Sequence, residues 1–97
     1  DENAEAAACR EVNEELGLEI TPSQLKYVTT QPNHYLYKNI PYRTMDIFYE
    51  CPLDVPVSVR PADEIKSLQW IPIPEIDLSK IGFVSVRTVI EKYYLNQ

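Results

Sequence analysis

Histidine occurs once, at His34, and cysteine twice, at Cys9 and Cys51. No ligand spacing links the three, so a Cys/His metal centre is not expected, and the two thiols read as free in a reducing compartment. Basic residues are scarce as well: nine Lys and Arg stand against fifteen Asp and Glu, a net charge of -6. Nucleic acid and anionic membranes both need a basic face, so neither is an expected partner. No apolar run approaches the length of a membrane span, and no signal-peptide pattern opens the chain. There is no internal repeat and no low-complexity segment. What remains is a chain of 97 residues, 44% apolar, with seven tyrosines. That composition suits a folded globule of one small domain. The expectation is a cytoplasmic enzyme or binding domain.

The order of elements follows from local signals. Asn3 is a suitable N-cap, and an Ala-, Glu- and Leu-rich stretch predicts a helix over 3–16. Gly17 is its expected stop, and Pro22 prevents early resumption. β-branched and aromatic residues predict strands at about 25–31, 42–51 and 64–73. "QPNHYLYKNIP" between the first two, with a proline near each end, reads as a loop or a hairpin arm, and "PLDVPVSVRPAD" as an excursion or edge segment. Phe83, Val86, Ile90 and Tyr93 fall at helical spacing and predict a final amphipathic helix over 83–95. Helix, strands, helix is an α+β pattern.

The first helix gathers Glu11, Glu14 and Glu15. At 100° per residue they lie within an arc of about 100°. Like charges at i,i+4 cost a few tenths of a kcal/mol on an exposed helix. Ala8, Cys9, Val12 and Leu16 fill the neighbouring arc and give a face to bury, while Arg10 stands one turn before Glu14 and can pair with it. A hard divalent cation such as Mg²⁺ would offset the cluster, since it prefers oxygen ligands. A solvated acidic face is the alternative, and spacing alone leaves both open.

The order of residue types goes further. Glu2, seven residues, then Arg10-Glu11-Val12-Asn13-Glu14-Glu15-Leu16-Gly17-Leu18 resembles the Nudix box, which reads Gly, five residues, Glu, seven residues, Arg-Glu-aliphatic-x-Glu-Glu-x-Gly-aliphatic. Every defined position from Glu2 onward is matched. The resemblance implies an α/β/α sandwich with a mixed β-sheet flanked by helices. It also implies Mg²⁺ or Mn²⁺ held against a diphosphate. Glu11 and Glu15 would be metal ligands, Glu14 a ligand or water-mediated partner, Arg10 the residue that orients the glutamates, and Glu2 a supporting carboxylate. Which glutamate is the catalytic base varies across the family and stays open.

Two later stretches are similar to the NADH pyrophosphatase and ADP-ribose pyrophosphatase-like branch. In "YVTTQP" Gln31-Pro32 is kept, but "NHYLYK" replaces the aromatic-proline run. Gln31, Tyr35 and Tyr37 are the substrate-binding candidates; the tyrosines either stack a base or pack within an ordinary hairpin. In "ADEIKSLQW" Glu64 matches a further metal-binding glutamate, with Asp63 as the fallback and Trp70 as a core residue. The box glycine and the strands before it are not in this chain. It is therefore expected to be the C-terminal portion of a single Nudix domain, incomplete at the N-terminus, with weak or no activity alone and a tendency to form a homodimer. The implied activity is hydrolysis of a nucleoside diphosphate linked to another moiety, of the NADH, ADP-ribose or sugar-nucleotide type. The alternatives are a catalytically silent nucleotide-binding or regulatory domain, and a plain structural domain.

Overall fold

The computed structural model describes residues 2–53 and 71–95. Helix α1 spans Ala4–Leu16. Its first turn is closed by the Asn3 side chain, whose Oδ1 accepts from the Ala6 N–H at 2.8 Å. Its last turn ends at Gly17, which takes the left-handed conformation (φ 70°) and donates its N–H to the Asn13 carbonyl. Glycine reaches that region without steric cost, so the stop is built into the sequence. A short 3-10 turn at Pro22–Gln24 follows, tied by the Thr21 N–H donating to Gln24 Oε1 at 2.8 Å.

Strands β1 (Lys26–Tyr37) and β2 (Ile40–Glu50) form an antiparallel hairpin, the sheet seen among the described residues. β1 runs six residues further than the expected strand, to Tyr37, so of the two readings of "QPNHYLYKNIP" the structure shows the hairpin arm. A proline is compatible with a strand where its missing N–H is not needed for pairing. The turn signal inside that stretch is the pair Lys38-Asn39, both at positive φ (51° and 65°). Two such residues make the turn whose twist matches that of paired strands. This connection sets Tyr37 opposite Ile40 and Tyr35 opposite Tyr42. The latter rings are stacked, 5.7 Å apart at 18°.

Asparagine tolerates the left-handed region and lysine does not, a difference of roughly 1 kcal/mol. Lys38→Asn combined with Asn39→Gly is expected to raise the melting temperature by about 4–8 °C, read by calorimetry. A fall would mean that the Lys38 ammonium over the Tyr37 ring, 5.3 Å from its centroid, outweighs the backbone gain.

Beyond residue 70 the chain makes two 3-10 turns, Ile73–Glu75 and Leu78–Lys80. Asp77 caps the second, accepting from the Ser79 N–H and hydroxyl, and these bonds lower its carboxyl pKa. Residues 71–73 of the third expected strand are not in a strand; its remaining residues, 64–70, lie outside the described residues. Helix α2 (Val84–Ile90) continues into one π-helical turn at Glu91–Leu95. Its buried positions are Ser85 and Val89, one turn apart; of the apolar residues at helical spacing, Val86, Ile90 and Tyr93 are half-buried beside them. Phe83 is the N-cap and is 51% exposed.

The helix start is held by polar bonds. Ser85 is fully buried, donates its N–H to Asn33 Oδ1 at 3.4 Å, and donates its hydroxyl to Asp46 Oδ2 at 2.7 Å. Thr44 donates to the other Asp46 oxygen at 2.8 Å. Asn33 on β1 and Asp46 on β2 thus fix the start of α2 on one hairpin face.

The chain forms two compact units. One holds α1 with the first residues of β1 and the last of β2; the other holds the rest of the hairpin with residues 71–95. The architecture is α+β, as the element pattern predicts. Among the described residues no helix is long and apolar enough to cross a membrane.

Candidate active site

The acidic arc of α1 is built as the helical wheel requires. Ala8, Cys9, Val12 and Leu16 are half-buried, and Arg10, Glu11, Glu14 and Glu15 are exposed. Arg10 divides the carboxylates. Its Nε and terminal nitrogen donate to Glu2 Oε1 at 2.8 and 2.7 Å, and its other terminal nitrogen donates to Glu14 at 3.1 and 3.3 Å. Glu11 lies at the outer limit of pairing, 3.9 Å away. Glu15 has no ion pair among the described residues.

These bonds hold the Glu2 carboxyl below its usual range and raise the Arg10 guanidinium further above its own. A depressed carboxyl stabilises the fold above its unfolded pKa and ceases to do so as pH falls through the folded value. Both groups face solvent, which screens the effect.

One residue of α1 breaks its pattern. Glu5 sits about 120° round the wheel from Glu11, in the middle of the half-buried face. There Tyr49, near the end of β2, donates its hydroxyl to Glu5 Oε1 at 3.0 Å. The Tyr27 ring meets Tyr49 edge-on at 6.2 Å. Burial, then the bond to Glu5 and its charge, raise the Tyr49 phenol pKa. Neither residue stood out in the sequence, although a glutamate aligned with Cys9, Val12 and Leu16 is itself a signal. A raised phenol stabilises the fold fully below the ordinary tyrosine pKa of about 10, and that contribution is lost as pH rises through the raised value. In an ultraviolet titration one tyrosine is expected to ionise late. Glu5→Gln is expected to bring it part of the way back, since burial remains.

The substrate-binding candidates lie on β1, where Gln31, Asn33, Tyr35 and Tyr37 alternate onto one face. Gln31 is half-buried. Tyr35 packs between Tyr42 and the edge of Phe83 (5.8 Å), and Tyr37 meets Tyr42 edge-on at 6.4 Å. Both rings therefore have protein neighbours, the packing arrangement; Tyr37 still keeps 55% of its surface in solvent and Tyr35 38%. The opposite hairpin face, with His34, Leu36, Arg43 and Met45, borders an open hollow of about 660 Å³ that has no carboxylate in its lining. Glu64, Asp63 and Trp70 lie outside the described residues.

Carboxylate oxygens suit a hard cation in donor type. Glu14 is turned into Arg10, leaving Glu11 and Glu15 as the other exposed carboxylates of the arc, and among the described residues no three His, Cys, Asp or Glu side chains converge.

A family model, the NUDIX domain, matches residues 1–92. The chain belongs to the Nudix family. No curated protein and no solved structure gives a match. The Nudix family model takes in the Arg10-Glu11-Val12-Asn13-Glu14-Glu15 stretch. It also attaches this chain to a family of pyrophosphohydrolases that act on nucleoside diphosphate compounds with divalent cations.

Proposed function

We propose that the chain is a Nudix pyrophosphohydrolase. Its reaction would be hydrolysis of the diphosphate bridge in a nucleoside diphosphate joined to another moiety, of the NADH, ADP-ribose or sugar-nucleotide type. The observation that carries the reading is the intact acidic arc, with Glu11 and Glu15 exposed one turn apart and Arg10 bonded to Glu2 and Glu14. Water attacks one phosphorus, the bridging oxygen leaves with the other, and the products are a nucleoside monophosphate and a phosphorylated remainder. A carboxylate of the arc takes the proton of the attacking water. Arg10 holds Glu2 and Glu14 in place and offsets part of the like-charge repulsion among the helix glutamates. Mg²⁺ or Mn²⁺, when bound by Glu11 and Glu15 with Glu14 and Glu64 as further candidates, would neutralise phosphate charge. Gln31 and the exposed parts of Tyr35 and Tyr37 are proposed to meet the nucleotide.

Chromatographic product analysis tests the reading, with NADH, ADP-ribose, sugar nucleotides and nucleoside triphosphates incubated with the chain and Mg²⁺. Cleavage at a diphosphate bridge that disappears with chelator is the expected result. Binding of a nucleotide without cleavage would favour the silent binding domain.

A further inference from the structure

An acidic side chain in the middle of a helix's packing face has one low-cost arrangement: a hydrogen-bond donor must meet it there. Tyr49 supplies that donor to Glu5. The contact fixes more than a distance. A helix packed through small, smooth residues such as Ala8, Cys9 and Val12 can turn about its axis with little change in apolar burial. A directed bond at one point of its circumference removes that freedom. With Glu5 held against Tyr49, Glu15, Glu11 and Glu14 stand about 80°, 120° and 180° round the wheel from it, on the solvent-exposed arc.

We infer that Tyr49 is a positioning residue: through its hydroxyl bond to Glu5 it sets the rotation of α1 and thereby the direction in which the box carboxylates point. The inference rests on the hydrolase reading for its consequence, though not for its geometry. Tyr49 reaches neither substrate nor the reacting atoms in this role. It acts through Glu5, from the far side of the helix. The Tyr27 edge contact holds the Tyr49 ring in turn.

The experiment compares Tyr49→Phe with Glu5→Gln in the full chain. Phenylalanine keeps the ring and loses the donor; glutamine keeps an acceptor oxygen for it. Backbone amide shifts along α1 and steady-state hydrolysis are read for both, well below their melting temperatures. For Tyr49→Phe, amide shifts are expected to extend through Glu11, Glu14 and Glu15. Its kcat should fall by about tenfold, the scale of a small misplacement of reacting groups, with KM within about twofold. Glu5→Gln should stay close to the parent in both readouts. Shifts confined to the turn around Glu5, or an unchanged kcat in a chain that hydrolyses, overturn the inference. Should the parent chain hydrolyse nothing, the hydrolase reading is decided by adding back the upstream residues, and the extent of the amide shifts alone decides the role of Tyr49.

Discussion

Glu15→Gln is expected to lose about a hundredfold or more in hydrolysis, within the range for removal of a catalytic carboxylate, while its melting temperature is unchanged or slightly higher. The two halves of that result have different origins. Glu15 has no ion pair among the described residues and stands one turn from Glu11, so neutralising it breaks no bond and relieves a like-charge pair. Any loss of activity then reports chemistry rather than folding. Glu14→Gln makes the comparison sharper, because Glu14 is bonded to Arg10 at 3.1 Å. It too should lose most activity with the fold intact, and it also frees one side of the guanidinium. Full activity in both variants would remove the acidic arc from the mechanism.

The largest effect on stability is expected at Ser85. Ser85→Ala deletes the fully buried hydroxyl that donates to the half-buried Asp46 carboxylate at 2.7 Å. A hydrogen bond to a charged group contributes roughly 1.5–3 kcal/mol. For a domain of this size that corresponds to a fall of about 6–24 °C in melting temperature. Asp46→Ala leaves the Ser85 and Thr44 hydroxyls without their acceptor and should cost at least as much. The double variant should lose less than the sum of the two, since both remove the same bond. Additive losses in thermal unfolding would mean that Ser85 and Asp46 act independently.

What the sequence makes legible is whatever is local or periodic. Asn3, the Ala-rich turns and Gly17 mark α1 because caps and propensities act within a few residues. The acidic arc is legible for the same reason: one helix carries it. The far half of β1 is legible only as one of two readings, a loop or a hairpin arm, because Pro32 and Pro41 argue for a loop and the Lys38-Asn39 turn lacks the glycine that usually announces a hairpin. The contacts that fix the two helices span long intervals of chain. Asn33 and Asp46 lie 52 and 39 residues from Ser85, and Tyr49 lies 44 from Glu5. No period links such residues, so the burial of Ser85 cannot be read from the apolar spacing of α2, although Val86, Ile90 and Tyr93 are half-buried beside it. The tyrosines show the same limit. Their spacing on β1 is readable, but that Tyr42 and Phe83 take up their faces is decided by pairing and by the path of a later segment.

The two-residue connection at Lys38-Asn39 also has a meaning for the order of events along the folding path. Strands joined so tightly meet with almost no loop to close, and hairpins of this kind form in about 1–10 μs. The Ser85 contacts instead close intervals of 39 and 52 residues, and they can form only after both arms are side by side, because Asn33 is on one and Asp46 on the other. The hairpin is thus the template and α2 the late arrival. A defect at Ser85 then shortens the lifetime of the finished molecule more than it delays its making.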